Sequence, residues 1–199
     1  MKSPFFLIVM KVALFFGSFN PIHNGHLIIA NYIVEHTTVD QLWMVVSPHN
    51  PLKKRATLAN DYDRLHLVNI ATEQHDKIFS CDIEFNLPKP SYTIDTLVYL
   101  KEKYPDHEFE LVMGADNLVN FHKWKNYENI LDAHRILVYG RPDYTPDQFV
   151  DHPSIKMIEA PLMEISSTVI RNLIKQKKSF LYWVPLSVHD EILMSGLYQ

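Results

Sequence analysis

A short polar turn between two apolar runs constrains this chain more than any other feature. Residues 12–16 form an apolar, β-prone run, and residues 27–34 form an apolar run with the length of a packed helix. The turn carries His23 and His26, whose spacing puts both imidazoles on one side of a helix start. The first N–H groups of a helix have no intrahelical partner, so such a unit often binds phosphate. The pattern predicts a nucleotide site, although an ordinary loop with surface histidines would show the same spacing.

A proline and two glycines shape this turn. Pro21 limits the backbone on the way into the predicted helix, because its ring fixes φ. Gly17 and Gly25 have no side chain, so a backbone segment or a ligand can come close to them. We therefore expect both glycines to belong to the nucleotide site.

Apolar runs of strand-like and helix-like length alternate along the chain. Strands are predicted at residues 12–16, 41–47, 78–85, 108–113, 135–140 and 155–158. Helices are predicted at residues 27–34, 61–73, 94–104, 126–133, 166–175 and 185–197, with 166–199 as a C-terminal helical part. This alternation predicts an α/β fold, a Rossmann-like three-layer sandwich with a mostly parallel sheet and helices on both faces.

Length, charge and cysteine content narrow the class of protein. A chain of 199 residues suits one domain with a substantial core. With 19 Lys and Arg against 23 Asp and Glu, the net charge of −4 argues against a nonspecific nucleic-acid binder, which needs a basic face. The single cysteine, Cys81, excludes an intramolecular disulfide and suits a reducing cytoplasm. We expect one cytoplasmic domain, residues 1–199, that binds neither nucleic acid nor membrane, and a homo-oligomer stays open.

The N-terminus has a faint likeness to a signal peptide. Lys2 is followed by the apolar residues 5–10, but the apolar run continues into the first predicted strand without a small-residue cleavage site. The run is also too short to span a bilayer. One hypothesis is that Met10 is the true start and residues 1–9 are an extension, which the mass of the natively expressed protein would test.

Several polar segments follow predicted strands. Ligands of open α/β sheets bind at the carboxyl ends of the strands, so these segments are expected to meet at one edge. Their residue types suit two tasks, binding a nucleoside triphosphate and shifting charge on its phosphates. The segments are residues 17–26, 48–53, 114–116 and 166–171.

Each of these segments has a plainer interpretation as well. The cationic run at residues 53–55 is usually a solvated face, although its position favours an anion contact. Asp116 would also suit a helix N-cap, and Ser91 or Thr93 the cap of the next helix, beside a packed Tyr92. Arg171 would also suit the exposed face of a capped surface helix.

The turn sequence resembles the signature of a known superfamily. Residues 17–27 read Gly-Ser-Phe-Asn-Pro-Ile-His-Asn-Gly-His-Leu, which is similar to the Gly-Gly-Thr-Phe-Asp-Pro-x-His-x-Gly-His motif of the adenylyl- and cytidylyltransferases. Phe16, Ser18 and Asn20 replace the usual glycine, threonine and aspartate. Serine keeps the hydroxyl and asparagine keeps a turn-forming side chain.

The resemblance narrows to the bacterial nicotinate-nucleotide adenylyltransferase family and covers most of the chain. Order and spacing match at residues 90–97, 114–116, 124, 140–142, 165–171 and 196–198. The resemblance implies that ATP and nicotinate mononucleotide give deamido-NAD and pyrophosphate, by direct attack of the mononucleotide 5′-phosphate on the α-phosphorus. Because the sequence offers no dense carboxylate cluster, any Mg²⁺ is expected to arrive with ATP.

The resemblance also implies a role for each matching residue. The catalytic residues would be His23, His26 and Arg171, with His26 stabilising charge on the α-phosphoryl group. ATP would be held by Gly17, Ser18, Phe19, His23, Gly25, His26, Gly114, Asp116, Ser166, Ser167, Thr168 and Arg171. Nicotinate mononucleotide would be held by Asn50, Lys53, Ser91, Tyr92, Thr93, Trp124 and Arg141, with Trp124 stacked on the pyridine ring.

Other functions stay open at this point. An adenylyltransferase for nicotinamide mononucleotide or for phosphopantetheine would share the phosphate-binding motif. Residues 91–93 and Trp124 favour a pyridine acid over pantetheine. A nucleotide sensor that kept the fold and lost catalysis is a further alternative, against which the intact His23, His26 and Arg171 argue.

Overall fold

A computed structural model describes residues 9–48 and 58–199. The predictions for Asn50, for residues 53–55 including Lys53, and for the N-terminal residues 1–8 lie outside the described residues. No helix within the described ranges is long and apolar enough to cross a membrane.

The centre of the fold is a six-stranded sheet with the order β3-β2-β1-β4-β5-β6. Every neighbouring pair of these strands is parallel, so the predicted mostly parallel sheet is fully parallel. The chain adds strands outward from β1 on one side and from β4 on the other, so the strand order reverses between β1 and β4. Ligands bind at such a reversal, beyond the carboxyl ends of the strands. The strands are β1 Met10–Gly17, β2 Gln41–Val46, β3 Ile78–Cys81, β4 His107–Gly114, β5 Ile136–Tyr139 and β6 Ile155–Ile158.

Helices cover both faces of the sheet, which confirms the three-layer α/β prediction. Their bounds are α1 Asn24–His36, α2 Asp61–Thr72, α3 Thr93–Lys103, α4 Ala115–Val119, α5 Tyr127–Ala133, α6 Ser167–Lys175 and α7 Leu186–Ser195. One core joins α1, α2, α6 and α7 to Ala13 and Phe15 of β1. The other joins α3, α4 and α5 to Val12 and Leu14 of the same strand. Successive residues of a strand point to opposite faces, so a single apolar strand builds both cores.

Some predicted boundaries were wrong. The strand predicted at 78–85 ends at Cys81, and a short 3₁₀ helix, Ile83–Asn86, follows it. Helix α1 begins at Asn24, before its first apolar run, because the polar residues of its first turn carry no apolar signal. Helix α4 and a 3₁₀ turn at Phe121–Lys123 were not predicted, since elements this short show no helical periodicity.

Candidate active site

The β1–α1 turn holds its two histidine rings against each other. His23 is the N-cap of α1, and its Nδ1 accepts a hydrogen bond from the backbone N–H of His26 at 3.3 Å. The same N–H lies 2.9 Å from the carbonyl oxygen of His23. The two imidazoles are stacked, with ring centroids 3.6 Å apart and an interplanar angle of 19°. The predicted same-side arrangement is therefore observed, with His23 just outside the helix.

Phenylalanines fix the orientation of the His26 ring. Phe19 meets it edge-on with centroids 5.0 Å apart, and Phe15 does so at 6.0 Å. Phe19 is buried and has a positive φ of 41°. Its ring lies over Gly17, where an added Cβ would come within 2.7 Å of that ring. An added Cβ on Gly25 would lie 3.1 Å from Nδ1 of His23. The space beside both glycines is thus filled by the chain's own rings.

Burial controls the charge of His23. Loss of solvation, assisted by the nearby Arg141 cation, lowers the pKa of His23 from 6.5 to about 3. The imidazole is therefore neutral at physiological pH. Because its Nδ1 accepts from the backbone, we assign the proton to Nε2, which can then donate a hydrogen bond. A neutral donor that lines the cavity suits a phosphate oxygen.

We expect this lowered pKa to make folding stability depend on pH. The unfolded chain binds a proton on His23 below pH 6.5 and the folded chain binds it only near pH 3, so stability falls as the pH drops through this window. Between pH 7 and pH 5, wild type should lose about 2 kcal/mol more unfolding free energy than His23→Asn. Urea unfolding at both pH values measures this, with exposed His122→Asn as control. Equal losses in wild type and His23→Asn would contradict a buried neutral His23.

The start of α6 forms a second wall of the site. Ser166 is its N-cap and accepts from the backbone N–H of Val169 at 3.4 Å. Ser167 donates to the carbonyl oxygen of Pro21 at 2.9 Å. Arg171 donates to the carbonyl oxygen of Asn20 at 2.7 Å and to the Thr168 hydroxyl at 3.2 Å. These hydrogen bonds hold α6 against the histidine turn and place the Arg171 guanidinium beside that turn.

The carboxyl end of β4 carries an ion pair. Asp116 Oδ1 lies 3.6 Å from Nε of Arg141, and the guanidinium lies 5.2 Å from the ring centroid of Tyr139. A Cβ on Gly114 would collide with the Asp116 carboxylate and come within 3.2 Å of the Arg141 side chain, so a larger residue would displace this pair. Asp116 lies in the first turn of α4, whose N-cap is Gly114, so the plainer N-cap interpretation of Asp116 was wrong.

The start of α3 forms the third part of the site. Its N-cap is Tyr92, without a side-chain bond, so the prediction that Ser91 or Thr93 caps this helix was wrong. The Ser91 hydroxyl instead lies 3.1 Å from the buried carboxyl group of Glu84. Trp124 packs edge-on against Phe121 with centroids 5.4 Å apart. The indole is therefore both a core anchor and part of the cavity wall.

Arg64 is a central residue that sequence reasoning missed. Its guanidinium is fully buried and donates to the carbonyl oxygens of Ser18, Ser47 at 3.0 Å and Ala59 at 3.2 Å. It also lies 2.8 Å from Asp61 Oδ1. One side chain thus joins the histidine turn, the end of β2 and the segment leading into α2. A polar residue in a polar stretch gave no sequence signal for this role.

One cavity of about 640 Å³ lies beyond the carboxyl ends of β1 and β4, a size typical of small-molecule sites. Glu84, Tyr139 and Lys125, which were not predicted, also line it. Among the described residues, Gly25 is the predicted site residue that does not line it, because it lies beneath His23. The predicted residues that do are Gly17, Ser18, Phe19, His23, His26, Ser91, Tyr92, Thr93, Gly114, Asp116, Trp124, Arg141, Ser166, Ser167, Thr168 and Arg171.

Known proteins similar to this chain share both sequence and fold with it. A family model described as cytidylyltransferase-like matches residues 14–173. A Flavobacterium psychrophilum protein named probable nicotinate-nucleotide adenylyltransferase is 55% identical over 192 residues, covering 96% of this chain and 100% of that protein. A Cytophaga hutchinsonii protein of the same name is 50% identical over 189 residues, covering 95% and 98%. The Plasmodium falciparum nicotinic acid mononucleotide adenylyltransferase complexed with NaAD superposes with a TM-score of 0.80 at 20% identity, covering 95% and 97%. This last likeness concerns the fold.

Proposed function

The chain belongs to the nicotinate-nucleotide adenylyltransferase family, and we propose that it transfers the adenylyl group of ATP to nicotinate mononucleotide. The products are deamido-NAD and pyrophosphate. The main support for this function is a single shared cavity. It lies where the strand order reverses, and both the stacked histidine pair and the start of α3 line it. The first feature suits phosphates and the second suits the nicotinate carboxylate.

The transfer needs no covalent intermediate on the protein. A 5′-phosphate oxygen of nicotinate mononucleotide forms a bond to the α-phosphorus of ATP. The bond from that phosphorus to the oxygen between the α- and β-phosphates breaks, and this oxygen leaves with pyrophosphate. The protein contributes positioning and electrostatic stabilisation of the phosphates. Donors held rigidly before the reaction are effective here, because they need no reorganisation as charge develops.

The phosphate end of the site is assigned to the histidine turn and α6. His26 stabilises charge on the α-phosphoryl group, and neutral His23 donates to a phosphate oxygen. Arg171 holds the departing pyrophosphate together with hydroxyls at the start of α6. The residues assigned to ATP in this region are Gly17, Ser18, Phe19, His23, His26, Ser166, Ser167, Thr168 and Arg171. Gly25 acts indirectly, because it lies beneath the His23 ring and leaves room for it. Phe19 acts through its backbone, because its ring is buried.

The rest of the site is assigned to the two nucleosides. Gly114 and Asp116 lie against the nucleotides, with the Asp116 carboxylate accepting from a ribose hydroxyl while it faces Arg141. Nicotinate mononucleotide is assigned to Asn50, Lys53, Ser91, Tyr92, Thr93, Trp124 and Arg141. The backbone N–H groups of Tyr92 and Thr93 take the carboxylate, because N–H groups at a helix start have no intrahelical partner.

The residues at the site fit a metal ion that arrives with the nucleotide. Within the described residues, no group of three or more His, Cys, Asp or Glu side chains could hold a metal. Asp116 already faces Arg141, and Glu84 bonds to hydroxyls. We therefore propose that Mg²⁺ enters bound to ATP, where it would neutralise phosphate charge. We also propose that residues 1–199 act as a single domain in the cytoplasm.

The test is release of pyrophosphate from ATP with nicotinate mononucleotide as acceptor. We expect rapid release, formation of deamido-NAD by chromatography, and slower release with nicotinamide mononucleotide. Phosphopantetheine and a reaction without acceptor serve as controls. Faster turnover of phosphopantetheine or of the amide would contradict the assigned substrate. Binding of ATP without release with any acceptor would instead support a nucleotide sensor.

A further inference from the structure

Two carboxyl groups lie close to the start of α3, whose residues Tyr92 and Thr93 line the cavity. Glu84 contacts the first turn of this helix from the preceding 3₁₀ helix, and Asp95 belongs to that turn. A helix start attracts an anion, but an uncompensated carboxylate beside it would repel the same anion. A carboxylate substrate therefore fits here only if the negative charge of both groups is suppressed.

Burial suppresses the negative charge of Glu84. The Ser91 hydroxyl lies 3.1 Å from Oε2 and the Thr96 hydroxyl 2.9 Å from Oε1. Loss of solvation raises the pKa of Glu84, outweighing the hydroxyls of Ser47, Thr96 and Ser91, which lower it. The shift favours the protonated form, so this group presents less negative charge than an exposed carboxylate.

Asp95 is exposed, and a neighbouring cation, not burial, compensates its negative charge. The Lys125 ammonium lies 3.0 Å from Oδ1 and 2.9 Å from Oδ2 of Asp95. It also lies 4.8 Å from the ring centroid of Tyr92, the N-cap of α3. Lys125 itself lines the cavity and follows Trp124 in the chain. The cation thus contacts two residues at the start of α3, and Lys125 is itself part of the cavity lining.

Among the residues that the structure describes, the neighbouring charged groups contact different partners. The Lys123 ammonium donates to the side-chain oxygen of Asn120 at 2.7 Å. Asp116 and Arg141 face each other at 3.6 Å. Lys125 is therefore the cation that offsets Asp95. Because the Lys125 and Asp95 side chains are 43% and 49% exposed, their pairing adds little to folding stability.

We propose that Lys125 sets the preference for the acid nucleotide over its amide, by neutralising Asp95 at the start of α3. This inference rests on the proposed function. The amide lacks the carboxylate and its pyridinium ring is cationic, so an uncompensated Asp95 does not weaken its binding. Lys125 is thus a specificity-determining residue.

The test compares kcat/KM for nicotinate mononucleotide with kcat/KM for nicotinamide mononucleotide. In Lys125→Ala we expect the acid-to-amide ratio to fall on the order of tenfold, through a higher KM for the acid. The KM for ATP should stay close to that of wild type, and kcat/KM for the amide should not fall. Added salt should shrink the difference from wild type, because ions screen exposed charges. The matched control is Lys103→Ala, which removes an exposed lysine from the last turn of α3, at the end away from Tyr92 and Asp95.

The double variant separates neutralisation from a direct attraction by the lysine. Asp95→Asn should keep the wild-type ratio or exceed it, and Lys125→Ala with Asp95→Asn should recover the ratio lost in Lys125→Ala. A double variant as impaired as Lys125→Ala would overturn the proposal, as would equal losses for acid and amide. A wild type without turnover would refute the proposed function instead. In that case, calorimetric measurement of the affinity of each variant for both mononucleotides would still decide whether the Lys125–Asp95 pair sets the preference for the acid.

Discussion

His26→Ala is expected to lower kcat by a factor on the order of 10²–10³, or about 3–4 kcal/mol of transition-state stabilisation. The reason is that the ring is held before the reaction begins. It is stacked on His23 at 3.6 Å and meets Phe19 edge-on at 5.0 Å. A donor fixed in this way stabilises charge that develops on the α-phosphoryl group without reorganising. Single-turnover rates with ATP and nicotinate mononucleotide measure the loss.

The fold should survive this substitution. The bond that caps α1 uses the backbone N–H of residue 26, which alanine retains. The matched control is His36→Ala, which removes an exposed imidazole from the last turn of the same helix and should leave kcat unchanged. Thermal unfolding checks that both variants are folded. A folded His26→Ala enzyme with near-normal kcat would exclude His26 from charge stabilisation.

The layered fold was predictable because its strands and helices carry strong apolar patterns. The run at 12–16 is buried on both faces of the sheet, which is why it lacks alternation and supplies both cores. The parallel sheet followed from the alternation of strands and helices. Helix α4 could not be predicted in this way, since a five-residue helix shows no periodicity and depends on the end of β4.

The candidate site was predictable where its residues lie in a contiguous motif. The stacked histidines and the Thr168–Arg171 contact follow from spacing along a helix. Glu84 was missed because it lies in a run that was interpreted as a strand, although an acid between Ile83 and Phe85 was a usable signal. The Asp116–Arg141 pair joins residues far apart in sequence, and only the sheet brings them together. Contacts of this kind depend on strand order, which a single sequence does not display.

Arg64→Met is expected to destabilise the protein by about 3–5 kcal/mol, the typical cost of removing one partner of a buried charged network. Methionine fills a similar length but cannot donate a hydrogen bond. The carbonyl oxygens of Ser18, Ser47 and Ala59 would each lose the guanidinium as a donor. Stability of a domain this size is typically only about 5–15 kcal/mol, so much of it would be lost.

Lys89→Met is the matched control, because Lys89 pairs with the same carboxylate. Its ammonium lies 3.3 Å from Asp61 Oδ2, but its side chain is 45% exposed, whereas that of Arg64 is fully buried. We expect Lys89→Met to cost at most about 1 kcal/mol. Urea unfolding of both variants measures the contrast. Similar small losses in the two would show that Arg64 is an ordinary ion-pair partner of Asp61.

The arginine variant should also affect the reaction, because its partners lie at the site. Ser18 and Ser47 line the cavity. The backbone N–H of Ala59 donates to the side-chain oxygen of Asn20, and the backbone carbonyl oxygen of Asn20 accepts from Arg171. Arg64→Lys keeps the charge, but its single ammonium cannot reproduce the planar fork that reaches several acceptors at once. We therefore expect Arg64→Lys to be more stable than Arg64→Met and yet to turn over more slowly than wild type at a temperature where both are folded. Wild-type kcat and KM in folded Arg64→Lys would show that the guanidinium supports the fold without positioning the catalytic turn.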